Sequence, residues 1–213
     1  MEMMLNETEI RVLGSLIEKA LSTPEYYPLS LNALTNACNQ KSNRDPVVSH
    51  DENTVVRACE DLEKKGLVRK SGVGRVIKYE ERFTRERDLV AGESSVLCVL
   101  FLRGPQTAGE IRGRTGRMHA FESLEALLET LNNLQEWGYI KRMARLPGHK
   151  ESRYGHLLSG EPEVVHADTA PGEAVDNSEA EMRMDRMARD IEDLRQDIDA
   201  LKEAFAVFKK QFE

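Results

Sequence analysis

One short pattern occurs twice in this chain. Leu62-x-x-x-Gly66-Leu67-Val68-Arg69 falls on Leu134-x-x-x-Gly138-Tyr139-Ile140-Lys141 at a shift of 72 residues. Each copy runs the end of an apolar-periodic helix into a glycine, the residue that takes a left-handed C-terminal cap at least cost. Two apolar residues and a base follow. A recurrence of this kind marks one supersecondary unit built twice. The chain must therefore adopt a fold that two such units can make.

The residues around each copy define the unit. In the first, Ile10, Leu13, Leu16, Ile17 and Leu21 predict a helix over 7–22, ended by Thr23-Pro24. Ser30 is an N-cap for a second helix through Leu31, Leu34 and Ala37, and the polar run 40–49 with Pro46 reads as a loop. Val55, Val56, Cys59 and Leu62 predict a third helix over 51–65, followed by strands over 67–70 and 75–79 about a tight turn. In the second copy, Val96, Leu97, Leu100 and Phe101 predict a helix over 94–103, stopped by Gly104-Pro105. Thr107 caps a short helix through Ile111. Leu124, Leu127, Leu128, Leu131 and Leu134 predict a helix over 123–137, then strands over 139–146 and 152–158 about Pro147-Gly148. Three helices and a hairpin, twice over, is the winged-helix arrangement, a relative of the helix-turn-helix. The expected class is mostly α with small β wings (α+β): winged-helix domains over 1–83 and 84–160. A single elongated α+β domain is the alternative.

The chain of 213 residues has a formal net charge of −7, which taken whole looks unpromising for nucleic acid. The charge is not evenly spread. Residues 1–83 carry −1, 84–160 carry +2, and 161–213 carry −8. The acidity belongs to the last quarter. There, 161–181 is rich in Glu, Pro, Ala and Asp and reads as a solvated linker, with too little apolar surface to order itself. From 182 to 213, Met184, Met187, Ile191, Leu194, Ile198, Leu201, Phe205, Phe208 and Phe212 alternate by three and four, a coiled-coil seam on a helix roughly 45 Å long. Asp190 meets Arg195, and Asp197 meets Lys202, across a parallel pair, so parallel self-association into a homodimer is favoured on charge. The other reading is an amphipathic helix folded back on its own chain.

Little here supports catalysis. Cys38, Cys59 and Cys98 sit among apolar helical neighbours as inert thiols, with no CxxC spacing. The five histidines lack HxxxH or HExxH spacing, so neither a metal nor a cofactor is expected. Gly72-Val73-Gly74 lacks the Gly-Lys-Ser/Thr ending of a phosphate loop, and no GxSxG nucleophile motif occurs. No run approaches ~18 apolar residues, and the start has no basic region ahead of an apolar stretch. A cytoplasmic protein without a membrane partner is the expectation.

The basic residues are more suggestive. Arg112, Arg114 and Arg117 cluster between the second and third helices of the second copy, and its hairpin adds Lys141, Arg142, Arg145, Lys150 and Arg153. The first copy offers Arg69, Lys70 and Arg75 on its hairpin, Arg57 on its third helix, and Lys41, Asn43 and Arg44 ahead of it. Phosphate contact needs Lys and Arg in such places, because binding releases condensed counterions. A solvated charged surface explains them equally, and Asn and Ser more commonly brace turns. The second copy's third helix is a poor reader of bases: Glu122, Glu125 and Glu129 repel phosphate, leaving Asn132 and Asn133 as amides.

The run Thr23-Pro24-Glu25-Tyr26-Tyr27-Pro28-Leu29-Ser30-Leu31-Asn32-Ala33-Leu34-Thr35-Asn36-Ala37-Cys38-Asn39-Gln40-Lys41-Ser42-Asn43-Arg44-Asp45-Pro46-Val47 closely resembles the signature of the YceH-like family of bacterial proteins. Arg103-Gly104-Pro105-Gln106-Thr107 and Arg153-Tyr154-Gly155-His156-Leu157-Leu158 resemble that family's second-half motifs. The resemblance covers about residues 5–160. It implies two winged-helix domains, often with a C-terminal coiled coil, and no established activity. Two functions follow as expectations: a DNA-binding, regulator-like protein on double-stranded DNA, dimeric through its tail, or a protein-interaction module such as a chromosome-segregation-type accessory subunit.

Overall fold

The computed structural model describes residues 4–72, 76–145 and 151–162. The first half begins with α1 (Glu7–Ser22), capped by Asn6, whose side chain accepts from the Glu9 N–H while Glu9 returns the bond. A 3₁₀ turn (Pro24–Tyr26) leads to β1 (Leu29–Ser30) and α2 (Leu31–Cys38). Then come α3 (Glu52–Lys64), β2 (Val68–Ser71) and β3 (Lys78–Glu81). After the short α4 (Phe83–Glu86), the second half repeats the order: α5 (Ala91–Arg103), β4 (Gln106–Thr107), α6 (Ala108–Thr115), α7 (Leu124–Glu136), β5 (Ile140–Arg142) and β6 (Arg153–His156). The sheets are antiparallel with matching orders, β1-β3-β2 and β4-β6-β5. The chain is α+β, with its strands in two small sheets.

The two copies register closely. Leu29 pairs with Tyr79 as Gln106 pairs with Tyr154. At both helix ends the glycine is left-handed, φ +74° at Gly66 and +75° at Gly138. Leu67 N–H reaches Leu62 O, and Tyr139 N–H reaches Leu134 O, both at 2.9 Å. These bonds satisfy carbonyls that a helix end leaves open. A Cβ on Gly66 would meet nothing within 4 Å. Gly66→Ala is therefore expected to cost about 1 kcal/mol in a urea titration, through backbone conformation alone. Offsets between copies are 77 from α2 to α6 and 72 from α3 to α7, because the connection after α2 is five residues longer than that after α6.

Several boundaries differ from the sequence expectation. The strand expected over 75–79 begins at Lys78, leaving Val76 and Ile77 exposed. Those expected over 139–146 and 152–158 shorten to Ile140–Arg142 and Arg153–His156. The helix expected from 94 starts at Ala91, where Glu93 accepts the Val90 N–H at 2.9 Å. Two strands went unforeseen, β1 and β4. Each is two residues long and runs straight into an N-cap, Ser30 or Thr107, so no alternation could announce it. The linker from residue 163 and the heptad seam from Met184 to Phe212 lie outside the described residues.

The described residues, 4–162 apart from two short gaps, belong to one packed unit. Helices α1 and α5 lie against each other at its centre, where a Cβ on Gly14 would come within 3.0 Å of both Leu102 and Phe101. The buried Cys98 thiol donates to Gly14 O at 3.4 Å. The halves also interlock through backbone, with Asp45 N–H to Leu102 O at 2.9 Å and Leu5 N–H to Leu158 O at 2.7 Å. On the connector, Phe83 is fully buried and meets Phe101 and Tyr139 at ring-centroid distances of 6.2 and 5.9 Å. All three cysteines are buried, and burial pushes the Cys38 thiol up to about 11 and Cys59 up to about 12. No helix among the described residues is long and apolar enough to cross a membrane.

His156 makes this unit sensitive to acid. Its ring stands edge-on to Phe101 at 5.1 Å with Nδ1 buried and unpartnered, and burial lowers its pKa to about 4. The unfolded chain takes up this proton as pH falls through about 6.5, and the folded chain does so only near 4. Stability present above pH 6.5 is therefore lost as pH falls toward 4, by about 3 kcal/mol in total. In urea titrations across that window, His156→Leu is expected to show a shallower pH slope than the parent chain. Parallel slopes would contradict the assignment.

Candidate functional site

The expected basic contacts separate into three groups. Arg44 is withdrawn from any surface role. Its side chain is fully buried, its Nη2 lies 2.6 Å from Glu18 Oε2, and Nε and Nη2 both donate to Ala37 O. The long connection after α2 is folded around this group. Arg11 Nη2 donates to Pro46 O, and the Asn39 side chain clips the His50 backbone in both directions. Asn43, with φ +60°, accepts from Arg103. The Asn-rich run that could have touched bases thus braces a loop instead.

A second group is exposed or half-buried but engaged with carboxylates or carbonyls. Arg69 pairs with Glu80 at 2.7 Å, and Lys70 with Glu63 at 3.2 Å and Glu60 at 3.8 Å. Arg153 Nη1 donates to Pro105 O at 2.9 Å and to Glu110 at 3.2 Å, with Arg114 3.9 Å from the same carboxylate. Lys141 pairs with Glu161 at 2.7 Å, and Arg112 donates to Glu122 O at 3.3 Å. Exposed pairs of this kind contribute little to stability. Their effect is to offset positive charge where a phosphate would approach.

The third group makes no salt bridge among the described residues: Lys41, Arg57, Arg117 and Arg142, all exposed. Arg57 lines a polar groove with Glu7 and Asp61 between α1 and α3. Arg142 and Arg145 line a different groove, of about 490 Å³, bounded by the first turn of α6 (Ala108, Gly109), by Leu124 and Leu128 of α7, and by Tyr154 of β6. Arg75 and Lys150 lie outside the described residues. Among the described residues, Arg57 and Arg142 thus line two separate grooves.

Comparing the copies shows which residues shape this groove in the second half. By the offsets above, Ala108 and Gly109 replace Leu31 and Asn32, and Leu124 replaces Glu52. Smaller side chains on α6 open the space, and a leucine makes its α7 wall apolar. Arg142 stands where Lys70 stands in the first half. The backbone contact is kept, with Lys70 N–H to Glu63 at 3.3 Å and Arg142 N–H to Gln135 at 3.0 Å. The carboxylates are not kept: Glu60 and Glu63 become Asn132 and Gln135. Lys70 is neutralised from α3, whereas α7 offers Arg142 only amides. This groove escaped the sequence reading. The signal lay in small and amide residues at repeat-equivalent positions, which periodicity does not register.

The outward face of α7 carries Leu124 and Leu128, 40% and 36% exposed, beside exposed Glu125 and Glu129. No group of three or more His, Cys, Asp or Glu residues that could hold a metal occurs among the described residues.

Residues 5–149 match the family model described as "Protein of unknown function, DUF480". Among similar chains, a UPF0502 protein of Solibacter usitatus is 48% identical over 217 residues, covering 100% of both chains. A UPF0502 protein of Geotalea daltonii is 54% identical over 82% of this chain and 81% of its own. One from Opitutus terrae is 53% identical over 78% and 75%. With a match running from α1 past β5, and a relative aligned end to end, the chain belongs to the DUF480 family of UPF0502 proteins, in agreement with its YceH-like motifs.

Proposed function

We propose that this chain is a non-enzymatic tandem winged-helix protein that works as a protein-interaction module, an adaptor or accessory subunit, paired into a homodimer by its heptad helix. The repeated order of three helices and a hairpin, with matching sheets, supports the winged-helix reading. The observation that carries the interaction reading is the outward face of α7. The position that reads bases in such folds holds Leu124, Glu125, Leu128 and Glu129, an apolar and acidic surface suited to protein and repellent to phosphate.

Affinity purification of the full chain from its host, with nuclease treatment, tests this. The expected result is one stoichiometric protein retained after nuclease. A complex that dissolves on nuclease treatment would overturn it. Removing residues 161–213 is expected to convert a dimer into a monomer by light scattering, and a monomer in both forms would refute pairing through the tail.

DNA binding is the second reading, favoured by Arg142 and Arg145 beside the positive, N-terminal end of α6 and by the exposed Arg117 just after its other end. It requires duplex binding that falls steeply between about 50 and about 200 mM salt and is weakened by replacing Arg117 and Arg142 together.

A further inference from the structure

The α6–α7–hairpin groove has a chemistry that selects its occupant. One side is apolar, with Leu124 and Leu128 partly exposed and the buried Tyr154 beneath. The hairpin side carries Arg142, which makes no salt bridge among the described residues, with Arg145 and Glu151 beside it. Its volume of about 490 Å³ is that of a pocket taking a few side chains. Each repeat-equivalent change opens or charges this one place: Leu31 and Asn32 to Ala108 and Gly109, Glu52 to Leu124, and Glu60 and Glu63 to Asn132 and Gln135.

We propose that the groove docks a short acidic segment of a partner protein, with an aliphatic or aromatic anchor against Leu124, Leu128 and Tyr154 and a flanking carboxylate on Arg142. This rests on the interaction-module reading and deepens it by naming the partner's chemistry. A duplex approaching the same place would lay its phosphates along α7 and meet Glu125 and Glu129 at the neighbouring exposed positions. A single peptide is narrow enough to enter the groove without covering that face. A charge-assisted contact from Arg142 orients it, and the apolar wall supplies desolvated area.

Display of randomised peptides against the full-length chain tests the proposal. The selected sequences are expected to place Asp or Glu around a Leu, Ile or Phe. A synthetic selected peptide is expected to lose at least tenfold in affinity on Arg142→Glu and on Leu128→Asp. Its Lys-for-Glu counterpart is expected to recover binding to the Arg142→Glu chain. Both positions are exposed, and equal urea midpoints confirm that the variants fold. Failure to select peptides, basic or neutral selections, or undiminished binding to Arg142→Glu and Leu128→Asp overturns the proposal. If a stoichiometric protein partner is retained in purification while display gives no acidic peptide, the groove assignment fails and the module reading stands. If acidic peptides bind but no protein partner is retained, the module reading fails instead.

Discussion

Replacing Gly14 by valine is expected to destabilise the protein by about 3 kcal/mol, and to do so in both halves at once. A Cβ there would already approach Leu102 and Phe101 to 3.0 Å, closer than neighbouring atoms accept without moving. Both neighbours belong to α5, a helix buried along most of its length, so there is little room to yield. Overpacking at such a seam costs ~1–3 kcal/mol, and the two branches of valine place it at the upper end. The readout distinguishes a shared seam from two separate domains. Trp137, the single tryptophan, lies in the second half, far along the chain from Gly14. Its fluorescence midpoint in urea is expected to fall together with loss of hydrogen-exchange protection in α2 and α3. A tryptophan transition that stays in place while α2 and α3 soften would show that the halves unfold independently.

The second large effect is at Arg44. Arg44→Met is expected to cost about 4 kcal/mol, because it removes a fully buried guanidinium and leaves Glu18, only 15% exposed, with no cation nearer than Lys19 at 3.7 Å. Ala37 O also loses two donors. Replacing both members, Arg44→Met with Glu18→Leu, is expected to recover much of that loss, since an apolar pair of similar volume avoids stranding a charge. A double variant no more stable than Arg44→Met would show that the arginine acts through the Ala37 carbonyl of α2 rather than through Glu18. Either result is read from urea midpoints at constant pH.

The fates of Arg44 and Arg142 show what the sequence could and could not disclose. Helix periods and glycine stops are local and follow from backbone chemistry, so the repeat was legible from Leu62–Arg69 and Leu134–Lys141 alone. Whether a base faces water depends on what lies opposite, which is set by residues far apart in sequence. Arg44 sits in a polar run and resembles a contact residue. It is buried because Glu18 on α1 reaches it across 26 positions. Lys70 and Arg142 look equivalent along the chain. They differ because α3 presents Glu60 and Glu63 where α7 presents Asn132 and Gln135. The groove was hidden for the same reason. Ala108 and Gly109 look unremarkable in α6 until compared with Leu31 and Asn32 in α2.

The seam between α1 and α5 has a thermodynamic consequence for whatever the second half binds. A ligand that binds only the folded state raises the unfolding free energy of every element that unfolds with its site, by RT ln(1 + [L]/Kd). Because the halves share one core, occupancy beside α7 should slow amide exchange in α2 and α3, on helices that the ligand never touches. The first half then acts as a remote reporter of the second, with no change of shape required to carry the signal.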